Sequence, residues 1–417
     1  MKRVLLIAFY FPPFHRSSGS LRVLKLTKYF PSFGIAPVIL SAHPRAYDNT
    51  DDNLLTQIPE GVTVHRAFAL DAKKHLSLLG AYFDFMALPD RYSSWIPAGI
   101  ISGWQLIRRQ RIDAIFSTTP IPGAHVIAYV LHQLTRRPWI ADFRDPIWDE
   151  YFQDSGRELR VRQFVESLAV RHATRVTVTT DGIRRLFQQR YADIDPAKII
   201  VVENGFDDSD FNGMPAPQRN GRKEIRMVHA GLLDPIDRDP LPFFQAVAKL
   251  LAKDRNLSSV LRVDLIASSD DGRYAEEIER LGLGEVIRLR PALPYHQALR
   301  KMAEADILLL FQGESCDMQI PAKCYEYLRI GRPILALTTA AGETGKLIQS
   351  TRAGEVVPID NPEAIGATLE HWILQIKKGG QLAAATPEIA ARYSRRSQTE
   401  KLAACMQALF ELTAIKR

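Results

Sequence analysis

Lys323 and Glu326, three positions apart, carry the most readable chemistry in the sequence. They belong to the stretch Ile320 to Leu337, IPAKCYEYLRIGRPILAL. Pro321, Ala322 and Lys323 read as the opening of a helix, with Pro at a first-turn position where its missing N–H costs nothing. Residues three apart project from one side of a helix. A cation at a helix start suits a phosphate, and a carboxylate one turn later suits hydroxyl groups. The pair therefore matches a nucleotide diphosphate and its ribose. Ile320, Cys324, Tyr325, Leu328 and Ile330 give the helix a face to bury. Gly331 stops it, Arg332-Pro333 turns the chain, and Ile334 to Leu337 predicts a short parallel strand.

A helix start serves a ligand only at the mouth of a sheet, and the rest of the chain supplies the sheets. Strands are expected at about 3–9, 36–41, 62–66, 112–117, 138–143, 174–180 and 198–202. Helices alternate with them at about 20–32, 97–110, 122–135, 157–172 and 181–191. Residues 204–226 are rich in Gly, Pro, Asn and Asp and read as a hinge. A second series of strands follows at 225–229, 260–266, 286–289, 305–311, 333–337 and 353–357, and 386–413 reads as helix. Strands separated by helices argue parallel sheets. Expected boundaries are residues 1–207, a linker at 208–224, a second domain at 225–385 and a helical segment at 386–417.

Five blocks, in order, give the sequence a family resemblance. Val4 to Pro13 with Ser18-Gly19-Ser20-Leu21-Arg22 resembles a first strand and its glycine loop. Ala141-Asp142-Phe143-Arg144-Asp145-Pro146 resembles a DxRDPW segment, and Val202-Glu203-Asn204-Gly205-Phe206-Asp207 a PNGxD segment. His229-Ala230-Gly231 with Arg238-Asp239-Pro240 resembles the opening of a donor domain. The stretch from Pro321 resembles the pattern P-S/A-K-x-x-E-Y-x-x-x-G-R/K-P-I-L. Together they resemble retaining glycosyltransferases of the GT-B fold, in particular glycosyltransferase family 4. That resemblance implies an α/β protein of two Rossmann-like, doubly wound parallel-sheet domains facing a central cleft. The C-terminal helix is expected to return to the first domain.

The resemblance also implies roles. Donor-binding residues would be Gly19, Gly231, Arg238, Ala322, Lys323 and Glu326. Relatives carry an Arg before the position of Arg238, where this chain has Leu232. They also carry a second glutamate eight positions before Glu326, where this chain has Met318. Asp317 or Glu314 is then expected to contact the sugar. Arg144 stands near the place of a family His; Asp145 would orient the acceptor hydroxyl or take its proton, and Asp142 would hold Arg144. Ser17 and Ser18 would add hydroxyl contacts. The implied substrates are a UDP- or GDP-sugar donor and a glycan or lipid-linked acceptor, with no cofactor and no metal. A nucleotide-sugar epimerase, or a binding protein without catalysis, is the alternative.

Composition excludes other classes. The net charge of +7 is modest, and no zinc-finger or RNP-like motif marks a nucleic-acid binder. One glycine after the first strand, with Pro12-Pro13 before it, does not fit the G-x-G-x-x-G of a dehydrogenase. The three cysteines lack metal or disulfide spacing, which suits a cytoplasmic setting. Asp208-Ser209-Asp210 and Asp237-Arg238-Asp239 spell Asp-x-Asp but fall in a hinge and at a helix start. Met1 to Phe11 reads as a strand, not a leader, because Pro12-Pro13 ends the apolar run. Arg108-Arg109-Arg111, Arg136-Arg137 and Arg157 to Arg162 read either as solvated helix faces or as contacts to anionic lipid at the inner membrane face. The aromatic-rich segment Leu76 to Trp104, with Tyr82, Phe83, Phe85, Met86, Tyr92 and Trp95, reads either as core or as a surface meeting a lipid-linked acceptor.

Overall fold

In a computed structural model the described residues are 1–14, 18–75, 87–149, 156–214, 222–269 and 271–415. The chain divides into two compact units, Met1–Asn204 with Arg395–Arg417, and Gly205–Ser394.

The first unit runs β1 (Lys2–Ile7), α1 (Ser18–Tyr29), β2 (Ile35–Ala42), β3 (Thr63–Ala67), α2 (Ala72–His75), α3 (Trp95–Gln110), β4 (Ala114–Thr118) and α4 (Gly123–Thr135). It continues through β5 (Trp139–Phe143), α5 (Gly156–His172), β6 (Arg175–Val178), α6 (Asp181–Arg190) and β7 (Ile199–Val201). All strands pair in parallel, in the order β3-β2-β1-β4-β5-β6-β7. Val4 to Ile7 form an unbroken apolar run without any exposure, as a central parallel strand covered on both faces requires.

The second unit runs β8 (Ile225–Ala230), α7 (Leu241–Lys253), α8 (Leu257–Val260), β9 (Leu261–Ile266), α9 (Asp271–Arg280), β10 (Ile287–Arg290) and α10 (Tyr295–Ala303). Then follow β11 (Ile307–Phe311), α11 (Ala322–Ile330), β12 (Ile334–Leu337), α12 (Glu343–Thr351), β13 (Gly354–Val357), α13 (Pro362–Lys377) and α14 (Pro387–Ala391). Its strand order is β10-β9-β8-β11-β12-β13, again parallel. Met227, Val263 and Leu309 pack with Phe243, Leu369 and Trp372 on one face. Val228, Leu308 and Leu310 pack with Met302, Cys324 and Leu328 on the other.

The last helix, α15 (Arg395–Ile415), belongs to the first unit. Its Leu402 and Met406 share a core with Val23 and Leu26 of α1. The single helix expected over 386–413 is two. Phe206 N–H donates to the Tyr393 carbonyl at 3.2 Å and Phe206 bridges to Ser394, and this strand-like pairing interrupts the helix between α14 and α15.

Two further details differ from expectation. Pro321 is not inside α11 but caps it, with an extended ψ of 137°. Within the expected linker, Asp208–Phe211 is a 3-10 turn whose Phe211 is buried in the second unit. Tyr82, Phe83, Phe85 and Met86 lie outside the described residues; Tyr92 and Trp95 are buried, whereas Trp104 is exposed. Among the described residues no helix is long and apolar enough to cross a membrane.

Open parallel sheets bind ligands beyond the carboxyl ends of their strands, where the winding direction reverses. In the first unit that point lies between β1 and β4, and in the second between β8 and β11.

Candidate functional site

At the β8/β11 switch point of the second unit, Gly231 leaves β8 with φ at +145°. Its N–H donates to the Ile266 carbonyl at 2.8 Å. A Cβ on Gly231 would stand 1.6 Å from Nζ of Lys323 and 2.8 Å from its Cε. The lysine tail therefore lies across the glycine, and only a residue without a side chain leaves it room. Lys323, in the first turn of α11, follows Ala322 at the helix start. Burial pulls the Lys323 ammonium down to about 8, the nearby Arg238 charge adds to this, and Glu326 opposes it. Sequence reading assigned these groups to one site, and the structure lays the Lys323 tail over Gly231.

Arg238 does not wait there alone. Its Nη1 donates to Asp234 at 2.9 Å, so a carboxylate that sequence reasoning did not single out aims the guanidinium. Glu326 likewise has a partner: Tyr295 of α10 donates its hydroxyl to Oε1 at 2.8 Å. Neither partner was legible in advance. Tyr295 stands 31 residues from Glu326, and the Asp234–Arg238 spacing falls in a turn without helical periodicity.

Beneath the site, His229 donates from Nδ1 to the Leu309 carbonyl at 3.0 Å, because a carbonyl can only accept. Nε2 then carries a lone pair with no hydrogen-bond partner. Burial, reinforced by the Lys323 charge, pushes this imidazole down to about 3, so it is neutral. Tyr327 ties the same strands together, donating to the Leu309 carbonyl at 3.2 Å and accepting from Ala230 N–H at 3.4 Å.

Of the two carboxylates expected near the sugar, Glu314 is exposed at the start of a 3-10 turn. Asp317 accepts a hydrogen bond from the Thr339 hydroxyl, and its carbonyl accepts Glu343 N–H at 2.7 Å. Gln312 anchors the loop, donating to the Cys316 and Gln319 carbonyls at 2.6 and 3.0 Å. Asp208 of the first Asp-x-Asp pairs with Arg329 at 2.8 Å.

In the first unit, Asp142 is the last residue but one of β5 and has no exposure. The expectation that it holds Arg144 needs correction. Asp142 binds Arg22 of α1 through two bonds, at 2.9 Å from Nη2 and 3.2 Å from Nε. It also accepts the hydroxyls of Thr118 and Thr177 at 2.7 and 2.8 Å. Arg22 in turn donates to the Val202 and Glu203 carbonyls at 3.0 and 2.9 Å. A buried carboxylate takes the nearest buried cation, and α1 supplies it. Arg22 was visible in the glycine-loop block, but its role was not.

Arg144 and Asp145 follow, the first half-buried and the second exposed. Thr119 accepts Arg144 N–H at 2.9 Å and Thr179 donates to its carbonyl at 2.6 Å. The backbone is therefore fixed, while Nε has no hydrogen-bond partner. Burial lowers the guanidinium to about 10, with Asp145 and then Asp142 opposing. Gly19 lies in the first turn of α1, its surroundings outside the described residues, as is Ser17.

A cleft of about 740 Å³ opens at the β1/β4 switch point, lined among others by Tyr10, Asp90, Arg91, Tyr92, Pro120, Arg157 and Arg162. Tyr10 and Tyr92 bring their hydroxyls within 3.5 Å of each other, and Asp90 accepts Gly123 N–H at 2.9 Å. Sequence reasoning did not gather these residues; only the sheet order brings them together.

Comparison with known proteins fits this geometry. Residues 19–205 match the family model described as a glycosyl transferase 4-like domain. No curated protein matches the chain by sequence. Among solved structures, Anabaena HepE in complex with UDP aligns with a TM-score of 0.69 at 16% identity, covering 98% of this chain and 100% of that one. Sucrose-phosphate synthase from Thermosynechococcus elongatus aligns at 0.66 and 13% identity, covering 99% and 100%. WaaG, a glycosyltransferase involved in lipopolysaccharide biosynthesis, aligns at 0.62 and 15% identity, covering 96% and 98%. The chain thus has the GT-B fold, and its residues 19–205 are similar to a glycosyl transferase 4-like domain.

Proposed function

We propose that this protein is a glycosyltransferase that moves a sugar from a nucleotide-diphospho-sugar to a hydroxyl of a glycan or lipid-linked acceptor. We infer retention at the anomeric carbon and no need for a metal. The observation that carries this reading is the lysine laid across Gly231 beside Arg238, at a sheet switch point and a helix start. Fixed cations and helix-start amides suit a diphosphate whose charge grows as it leaves. UDP is the favoured nucleotide, because HepE was solved with UDP bound.

In the reaction the C1–O bond breaks and its electron pair goes to the β-phosphate oxygen. The acceptor oxygen forms the new bond on the same face of the sugar. Its proton passes to the departing phosphate oxygen, which the two cations hold. Glu326, set by Tyr295, takes the ribose hydroxyls, and Asp317 or Glu314 lies nearest the sugar. The acceptor enters the first unit's cleft, with Arg144 and Asp145 at the neighbouring strand end. Surface polysaccharide or glycolipid assembly in the cytoplasm is the setting this chemistry suits, a reading supported by the likeness to WaaG.

Incubation with a panel of UDP- and GDP-sugars and acceptors, with and without EDTA, tests the reading. Activity is expected to survive chelation and to give α-linked product from an α-linked donor by NMR. Loss of activity restored by Mn²⁺, or an inverted product, overturns the mechanism; conversion of donor alone makes the protein an epimerase.

Lys323 gives a pH signature. Its ammonium titrates near 8 in place of the ordinary lysine value of 10.5, and only the protonated form attracts a diphosphate. UDP affinity should therefore be level below that pH and fall as pH rises through it, by up to about tenfold per unit. Calorimetry across this range checks it: Lys323→Ala should flatten the profile, and a level wild-type profile would remove Lys323 from the phosphate site.

A further inference from the structure

The first unit has a surface at the opposite edge of its sheet from the β1/β4 switch point, and the proposed reaction does not use it. Gly99 of α3 packs on Ile127 of α4, and Gly103 packs on Leu131, where Cβ atoms would come within 2.5 Å of those side chains. Equal steps along both chains mean that the helices run side by side in the same direction, so their C-terminal ends lie together. Those ends point toward the edge where β4 and β5 begin, opposite the edge that carries Asp142 and Arg144.

Residues 95–111 and 123–137 contain five arginines and no aspartate or glutamate. Arg108, Arg109 and Arg111 close α3, and Arg136 and Arg137 follow α4. None of the five forms an ion pair among the described residues. Beside them, large apolar side chains face water: Ile101 is 60% exposed, Trp104 40% and Leu134 62%. Ile101, Trp104 and Arg108 recur at helical spacing on one stripe of α3, and the Arg108 guanidinium lies 4.9 Å from the Trp104 ring centroid. Leu134 stands one turn beyond the Leu131 that fills the notch at Gly103.

Backbone conformation adds an independent observation. Arg111 and Arg136 cap their helices with φ at +52° and +56°. That left-handed position is ordinarily filled by glycine, because any side chain is disfavoured there. Both caps carry arginine against this preference. Attraction of cations to helix C-termini explains a basic last turn, but it explains neither an exposed tryptophan nor a strained cap that only adds charge.

We propose that the paired ends of α3 and α4 dock on an anionic lipid surface, with Trp104, Ile101 and Leu134 at the headgroup level and the arginines on lipid phosphates. Aromatic rings flanked by basic residues are the chemistry of that interface, and the clustered arginines supply the charge complementarity, the neighbouring carboxylate of Asp113 being taken up by Lys2 and the Arg3 N–H. This inference rests on the reading of the protein as a transferase with a glycan or lipid-linked acceptor, and it gives such a protein a lipid contact on the sheet edge opposite its acceptor cleft.

The test is co-sedimentation of the full chain with vesicles of phosphatidylcholine alone and of phosphatidylcholine mixed with phosphatidylglycerol. Wild type should bind the mixed vesicles at least about tenfold more tightly, with an affinity that falls as salt rises. The Arg111→Gly/Arg136→Gly variant is the discriminating one. Glycine relieves both caps, so its Tm should stay level or rise, while vesicle affinity drops several-fold. Trp104→Ser should weaken binding without removing its salt dependence. Lys323→Ala should lose UDP and keep the vesicles, which separates failure here from failure of the donor site. Equal sedimentation with both vesicle types, or a glycine variant that binds as wild type does, overturns the proposal.

Discussion

Gly231→Ala should abolish most nucleotide binding while leaving the protein folded. The new Cβ would occupy the place of the Lys323 ammonium, 1.6 Å away. The far end of a lysine can swing aside, so the fold survives, but the cation then leaves the phosphate site. A charge-assisted hydrogen bond is worth roughly 1.5–3 kcal/mol, so UDP should bind about 10- to 150-fold more weakly. The backbone adds a smaller cost, since φ at +145° disfavours any side chain. Lys323→Ala should lose a similar factor. The double variant should be little worse than either single one, because both changes remove the same contact. Calorimetry with UDP on the three variants checks this. Additive losses would mean that Gly231 and Lys323 serve binding separately, and wild-type affinity in Gly231→Ala would sink the phosphate assignment.

That coupling shows where sequence reading reaches and where it stops. Strand and helix positions were legible because parallel strands buried on both faces read as apolar runs, such as Val4 to Ile7 and Ile307 to Phe311, separated by amphipathic helices. Lys323 and Gly231 were legible as well, since each sits in a block with its own spacing. Their contact was not, because it depends on β8 and β11 being neighbours in the sheet although 76 residues separate the end of one from the start of the other (230 to 307 is interrupted by β9 and β10). The same limit hid Tyr295 and the cleft around Tyr10 and Tyr92, whereas Asp234, four residues from its partner Arg238, was hidden by the irregular turn between them. Carboxylates were found easily, but what each one binds was decided by three-dimensional neighbours.

Asp142 is the case with the largest energetic consequence. Sequence placed it with Arg144 and Asp145 as part of the chemistry, whereas its lone pairs are taken up by Arg22, Thr118 and Thr177. Asp142 and Arg22 are both almost without exposure. Removing one partner of such a pair strands the other charge in the interior, which costs about 3–5 kcal/mol. Asp142→Asn keeps the shape and removes only the charge, so it should lower the Tm by roughly 6–20 °C for a unit of this size. Replacing both partners, as in Arg22→Met/Asp142→Leu, should recover part of that loss, because no buried charge is left over.

The pH dependence has a definite sign. Burial alone would raise the Asp142 carboxyl, but the Arg22 charge and the hydrogen bonds to Arg22, Thr118 and Thr177 outweigh it and hold the group below its ordinary 3.8. A folded value below the unfolded one stabilises the protein above the unfolded pKa, and that contribution is lost as pH falls through the folded value. The gap in stability between wild type and Asp142→Asn should therefore be widest at neutral pH and close on acidification. Asp145, exposed three residues further along just past the end of β5, should behave in the opposite way: Asp145→Asn should slow transfer with little change in Tm. Thermal melts of both variants from neutral to acid pH, set beside their turnover, separate a residue that holds the sheet edge together from one that meets the substrate. An Asp142→Asn protein as stable as wild type would show that Arg22 finds its charge compensation elsewhere.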